Sequence, residues 1–420
     1  MYGILFLYND ECGFMIAFVI MHRDFLMHHL CTLKTSTERN FDMKLIHISD
    51  LHLGKRLGEY SLHEEQRDIL NKILVIADDE RPDAFLIAGD VYHKPVPPEE
   101  SVQLFDNFIC ELASRKVQTF IISGNHDSAE RIAFGGRLMD LSGVHMSPVY
   151  NGKTQPITLT DVYGEVNFYM LPFIKPLTIR KFFPDVKIDS YNEALKLAVG
   201  AMKIDGSKRN VIITHQFITG ASLSESEELF IGGTENVDAE IFEDFDYVAL
   251  GHIHSPQNIR KNMRYCGTPL KYSRSEACQK KSVTIVELGE KGMLALRTVP
   301  LIPLRDVKEY RGTFAELTDS AFYSSINTDD YVYLTLTDES EIPEVVYKLR
   351  KIYPHLLTHK YDNAKTNGTS ELMSMCAVTD TTPEELFDAF FRETNPNGMN
   401  PQQADYISKV IKEIWEEDIL

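Results

Sequence analysis

The chain is 420 residues long, more than one small core organises, so two or three domains are expected. Hydrophobic residues at 43% and charged residues at 25% are the proportions of an ordinary soluble globular protein. A formal net charge of −19 speaks against a sequence-independent nucleic-acid coat, though not against an enzyme that meets phosphates through metal ions and a few local basic residues.

The first 42 residues read as an extension outside the folded core. Their apolar stretch "ILFLYNDECGFMIAFVIMH" is interrupted by Asn9, Asp10 and Glu11, and its unbroken part, Gly13 to Met21, is far short of the ~20 residues that cross a bilayer. No membrane association is therefore expected. Cys12, Cys31, Cys110, Cys266, Cys278 and Cys376 form no CxxC pair and read as reduced thiols, which suits a cytoplasmic protein.

From Met43 a strand–helix alternation begins. "KLIHIS" reads as a buried strand ending at "DLHLG". "LHEEQRDILNKILVIADDE" carries apolar residues at helical spacing. "DAFLIAGD" is a second strand and "PPEESVQLFDNFICELASRK" a second helix, with prolines before it and acids in its first turn. "VQTFIISGNHD", "VNFYMLPF", "NVIITHQ", "DYVALGHIH" and "KSVTIVEL" follow as strands. The pattern implies βαβ units and a largely parallel sheet. After Pro300 the composition shifts. "DYVYLTLTDE", "IPEVVYKLRKIYP" and "LLTHKYD" read as strand, helix and strand of a smaller α+β unit, and residues from Thr381 on as two amphipathic helices around a Pro/Gly/Asn loop. The expected divisions are 1–42, 43–304, 305–378 and 379–420.

Polar residues stand directly after the apolar runs in "LIHISD", "FLIAGD", "FIISGN", "VIITH" and "VALGH". Ligands gather at the carboxyl ends of strands in open α/β sheets, so these ends mark a site. In order they supply Asp50 and His52, then Asp90, then Asn125, His126 and Asp127, then His215, then His252 and His254. Two divalent cations ~3.5–4 Å apart can activate water and stabilise charge on a phosphodiester, and such a pair needs a shared carboxylate, for which Asp90 is the natural candidate. If the DxH and GHxH segments are extended, alternation puts Asp50 with His52, and His252 with His254, on one face. Gly124 would then allow a sharp exit from its strand.

The pattern DxH…GD…GNHD…H…GHxH resembles that of the calcineurin-like two-metal phosphoesterases. "HISDLHLGK", "GDVYHKP", "SGNHDS", "FDYVALGHIHSPQ" and "GTPLKYSRSE" look most like the SbcD-type double-strand-break-repair nucleases. The resemblance is strong from Met43 to about Leu304. It implies an α/β fold, a calcineurin-like metallophosphoesterase β-sandwich flanked by helices. A small α+β capping domain and C-terminal helices would follow, the helices docking an SbcC-like ATPase. It implies that Asp50, His52, Asp90 and His254 hold one metal, and Asp90, Asn125, His215 and His252 a second. His126 would donate a proton to the leaving oxygen, with Asp127 orienting it. The mixed imidazole, carboxylate and amide donors suit manganese, iron or zinc; the resemblance favours Mn²⁺. It further implies exonuclease action (3′→5′) on duplex DNA, endonuclease action on single strands and hairpins, and a homodimer within a heterotetramer.

A basic stripe, Arg260, Lys261, Arg264, Lys271, Arg274, Lys280 and Lys281, follows the last ligands, with Glu276 as its one acid, and is expected on DNA phosphates; His93 after "GDVY" is a further expected DNA contact. Arg274 stands where the family pattern has Phe. His47 alternates onto the face of Ser49 and reads as a packed core histidine. Two other readings stay open: a phosphatase or phosphodiesterase acting on a small or protein substrate, and a scaffold without metals. "GDVYHKP" lacks the GDxVDRG of Ser/Thr phosphatases, and every expected ligand is present.

Overall fold

The computed structural model describes residues 42–225, 236–363, 387–388, 391–392 and 399–417. The expected extension up to residue 41 and most of the first C-terminal helix lie outside the described residues. In chain order the strands of the main body are β1 (Met43–Ile48), β2 (Arg56–Leu57), β3 (Tyr60–Ser61), β4 (Ala84–Ala88), β5 (Gln118–Ile122), β6 (Val144–Met146) and β7 (Ile157–Asp161). They continue with β8 (Gly164–Leu171), β9 (Arg209–His215), β10 (Tyr247–Gly251), β11 (Gln257–Arg260), β12 (Met263–Tyr265), β13 (Ser282–Leu288) and β14 (Leu294–Pro300).

Two six-stranded sheets face each other, ordered β14-β13-β1-β4-β5-β6 and β11-β12-β10-β9-β8-β7. The inner strands of both run parallel, with antiparallel pairing from β1 through β13 to β14 in one sheet and at both edges, β11 on β12 and β7 on β8, in the other. Alternation divides the side chains between two cores. Leu45, Leu86, Ala88, Phe120 and Ile122 pack between the sheets against Phe168, Val211, Ile213 and Ala249 of the second sheet. Ile46, Phe85, Ile87 and Ile121 point outward, under helices His63–Glu80 and Glu99–Ser114. A second helical layer covers the other sheet through Tyr191, Ala194, Leu195 and Ala198. With both faces buried, these strands read as unbroken apolar runs rather than alternating ones.

The smaller unit is a three-stranded sheet of β15 (Val307–Gly312), β16 (Tyr331–Leu336) and β17 (Leu356–Tyr361), ordered β15-β16-β17 and parallel throughout. Parallel neighbours need crossovers, which helix Val345–Arg350 and the short turns Phe314–Leu317 and Ser320–Tyr323 supply. Leu317, Val332, Leu334, Leu349 and Tyr353 form its core. Arg305 fastens it to the main body through Glu65, which also accepts from Tyr331 Oη at 3.0 Å. Helix Pro401–Glu417 has no buried residue from 401 to 411. Among the described residues, no helix is long and apolar enough to cross a membrane.

Candidate metal centre

All seven expected ligands converge where β1, β4, β5, β9 and β10 end. The loops after β1 and β4 run side by side: Asp50 N–H donates to Gly89 O at 3.0 Å, and His52 N–H to Asp90 O at 2.9 Å. Simple alternation does not set the side-chain directions. Asp50 (φ 53°), His52 (φ 45°), Asp90 (φ 48°) and His252 (φ 98°) all take positive φ. Asp50 and His52 thus both leave the extended conformation expected of the DxH segment, and His252 leaves it in GHxH. For residues with a Cβ that geometry is costly, and it clusters at functional sites. Gly124 also acts differently from expectation: its φ is not positive, and a Cβ there would collide with the Asp90 carboxylate. A Cβ on Gly251 would strike Ala88 O and the His215 ring, so these glycines admit neighbouring ligands rather than turn the chain.

Asp90 lies at the centre. Its Oδ1 accepts the His126 backbone N–H at 2.9 Å, which leaves Oδ2 facing His52 Nε2 at 3.6 Å and His215 Nε2 at 3.4 Å. On one side, Asp50, His52 and His254 bring ligand atoms within 4.8 Å of one another, and the Nε2 atoms of His52 and His254 stand 3.1 Å apart. On the other side, Asn125 Oδ1 is 3.0 Å from both His215 Nε2 and His252 Nδ1. Atoms facing away from the centre are held too. His215 Nδ1 donates to Ala88 O at 2.8 Å, which turns Nε2 toward the centre. The His252 backbone N–H donates to both Asp50 oxygens, at 3.1 and 3.2 Å.

Burial shapes the charges. It holds His52 well below the usual imidazole range and, with the His215 charge, pushes His252 down to about 3, so both rings are neutral, the form that ligates. Burial raises Asp50, and works the same way on Asp90, where His215 and His52 outweigh it and keep that carboxyl depressed. For His215 burial is outweighed by Asp90 and Asp50, which hold it up at about 9. Such a cluster of buried carboxylates and facing imidazole nitrogens fits divalent cations: the donors are imidazole, carboxylate and amide, without thiolate.

Asp127 does not orient the His126 ring. Its Oδ2 accepts from Val91 N–H and Gly124 N–H, both at 3.0 Å, and its Oδ1 from Tyr92 N–H at 2.8 Å. Three turned-in amides have no strand partner, and a carboxylate satisfies them all. His126 lies at the mouth, its ring 4.9 Å from that of His52 and stacked on half-buried His93 at 5.6 Å.

The basic stripe is largely engaged with the chain itself. Arg260 pairs with Glu240, Arg264 bonds Thr284 and Asn258, Lys271 pairs with Asp306, and Arg274 pairs with Glu309. Lys281 is buried on Glu276. The acidic partners Glu240, Asp306 and Glu309 all lie outside the stripe, which a local count of charges does not reveal. Lys261 is exposed.

Sequence reasoning missed the supports. Gln66 Nε2 donates to His52 O at 2.8 Å and its Oε1 accepts from Gly54 N–H at 3.0 Å, while Tyr272 Oη donates to Leu51 O at 2.5 Å. A polar residue on the inner face of the helix "LHEEQRDIL" was the available signal. His47 is fully buried, with Nδ1 2.8 Å from Tyr247 Oη, as a packed core histidine should be.

A calcineurin-like phosphoesterase family profile matches residues 43–256, and a profile described as a type 5 capsule protein repressor C-terminal domain matches residues 303–395. The chain is 31% identical to the SbcD subunit of the SbcCD nuclease of Staphylococcus epidermidis, over 90% of this chain and 100% of that protein. It is also 31% identical to the corresponding SbcCD nuclease subunit of Staphylococcus saprophyticus, over 89% and 99%. A solved dimetal phosphatase from Danio rerio aligns with 11% identity and a TM-score of 0.36, covering 62% of this chain and 97% of that one. With its strand-end carboxylates and histidines gathered around Asp90, the chain belongs to the calcineurin-like phosphoesterases, divalent-metal hydrolases, and within them to the SbcD-type nucleases.

Proposed function

We propose that the chain is the nuclease subunit of an SbcCD-type complex and hydrolyses DNA phosphodiesters with two Mn²⁺ ions. Asp50, His52, Asp90 and His254 hold one ion, and Asp90, Asn125, His215 and His252 the other. When bound, the ions supply Lewis acidity to the phosphoryl oxygens and activate the attacking water. The observation that carries this reading is Asp90 Oδ2, set 3.6 Å from His52 Nε2 and 3.4 Å from His215 Nε2, as a carboxylate shared between two sites requires.

His126, at the mouth with its side chain 14% exposed, gives its proton to the leaving oxygen. Asp127 holds the His126 loop against the Val91–Tyr92 loop and so positions the acid through the backbone. His93, stacked on His126, and exposed Lys261 contact the DNA. The substrates are duplex DNA, degraded 3′→5′, and single-stranded or hairpin DNA, cut internally, in repair, recombination and replication in the cytoplasm.

An SbcC-like ATPase docks on the C-terminal helices. Supporting this, Ile407, Val410 and Ile411 share a face of helix Pro401–Glu417 and none of them is buried. A homodimer is supported by Phe134, Leu138 and Leu141, which are 82%, 75% and 88% exposed in the short helical segment after the GNHD loop. The test is incubation of the purified chain, with and without the ATPase, on blunt duplex and hairpin DNA in Mn²⁺. Metal-dependent degradation is expected; intact DNA beside hydrolysis of a small phosphomonoester would overturn the nuclease reading.

A further inference from the structure

The sequence stretch after the last ligands contains one acid in a basic run, Glu276, and it is fully buried. A buried carboxylate is costly unless charged partners and hydrogen bonds surround it. Glu276 has both. Lys281 Nζ lies 2.5 Å from its Oε2, the Thr268 hydroxyl donates to Oε2 at 3.2 Å, and the Ser273 hydroxyl donates to Oε1 at 3.0 Å. The same Lys281 ammonium donates to the backbone carbonyl of His254 at 2.9 Å. Oε1 of Glu276 lies 3.7 Å from His254 Nδ1, and the other ring nitrogen, Nε2, faces His52.

The histidines of the centre are thus held in different ways. His215 is fixed by a backbone carbonyl on Nδ1, whereas His52 Nδ1 is buried without a hydrogen-bond partner among the described residues. His254 instead has a carboxylate 3.7 Å from its remote nitrogen, itself clamped by an ammonium that also grips the His254 backbone.

We infer that Glu276, clamped by Lys281, is a positioning residue that keeps the His254 proton on Nδ1 and presents Nε2 to the metal held with Asp50 and His52. This rests on the proposed two-metal reading and adds a residue pair to one side of it. A carboxylate behind a ligating imidazole orients the ring and raises its basicity, and removing such a partner weakens metal binding by about 10–100-fold. The effect is confined to one ion, because His215, His252 and Asn125 have no contact with Glu276 among those described.

The test uses the full chain, Glu276→Gln, and the double variant Glu276→Met/Lys281→Met, which removes both buried charges together and so leaves neither unpaired. Mn²⁺ binding is measured by calorimetry, and the His254 tautomer by ¹⁵N NMR of the metal-free protein. One of two Mn²⁺ sites should weaken by about 10–100-fold in both variants while the other is kept. The wild-type proton should sit on His254 Nδ1, and both variants should show a mixture of tautomers. Two sites of wild-type affinity in the double variant would overturn the inference, as would a wild-type proton on Nε2. A wild-type chain that binds no Mn²⁺ yet carries the Nδ1 proton would overturn the proposed function and leave the Glu276–His254 assignment standing.

Discussion

The Asp127 carboxylate accepts the backbone N–H of Tyr92 at 2.8 Å, across 35 residues of chain. With Val91 N–H and Gly124 N–H on its other oxygen, it ties the loop that carries Asp90 to the loop that carries Asn125 and His126. Asp127→Asn would keep one accepting oxygen and turn an amide N–H₂ toward backbone donors. Unfolding in denaturant should show a loss of about 1–3 kcal/mol, the cost of leaving buried donors unsatisfied. Unchanged stability would show that the staple is dispensable.

His126 touches Asp90 through its backbone N–H, not through its ring, whose Nε2 is 4.0 Å from Asp90 Oδ2. His126→Gln should therefore keep its metal content while cleavage falls by ~10²–10⁴-fold, the worth of a positioned general acid. Loss of an ion in elemental analysis would make His126 a ligand instead.

His47 gives a pH dependence away from the metals. Burial, helped by the Arg264 charge, pushes it down to about 3 from an ordinary 6.5. Below pH 6.5 the unfolded chain takes up a proton that the folded chain refuses, so the stability present above that pH is lost progressively as pH falls toward 3. One such proton is worth up to ~1.4 kcal/mol per pH unit. His47→Gln, which leaves the Tyr247 hydroxyl a side-chain partner, should flatten the stability–pH curve by about that slope between these limits. Equal slopes for the two proteins would contradict the assignment.

Much of this site was legible in the chain because β1, β4, β5, β9 and β10 are buried on both faces. Each therefore reads as an apolar run, and the first polar residues after it, such as Asp90 or His252, stand out. Four features were hidden for physical reasons. Positive φ at Asp50, His52, Asp90 and His252 leaves no mark on residues that usually avoid it. Glu276 lies in a charged run that reads as a solvated face until Lys281 folds over it. Arg274 and Lys271 find Glu309 and Asp306 on and beside β15, partners more than 30 residues away. Asp127 reads as the partner of its sequence neighbour, whereas its oxygens accept amides of its own loop and of the loop after β4.

The central claim is that one carboxylate, Asp90, is shared by two metal ions that together cleave DNA. The most direct test is Asp90→Asn, with Mn²⁺ counted by elemental analysis alongside degradation of blunt duplex DNA. An amide carries no charge to share, so occupancy should fall at both sites and cleavage should vanish. Full Mn²⁺ occupancy with normal cleavage in the variant would contradict the account.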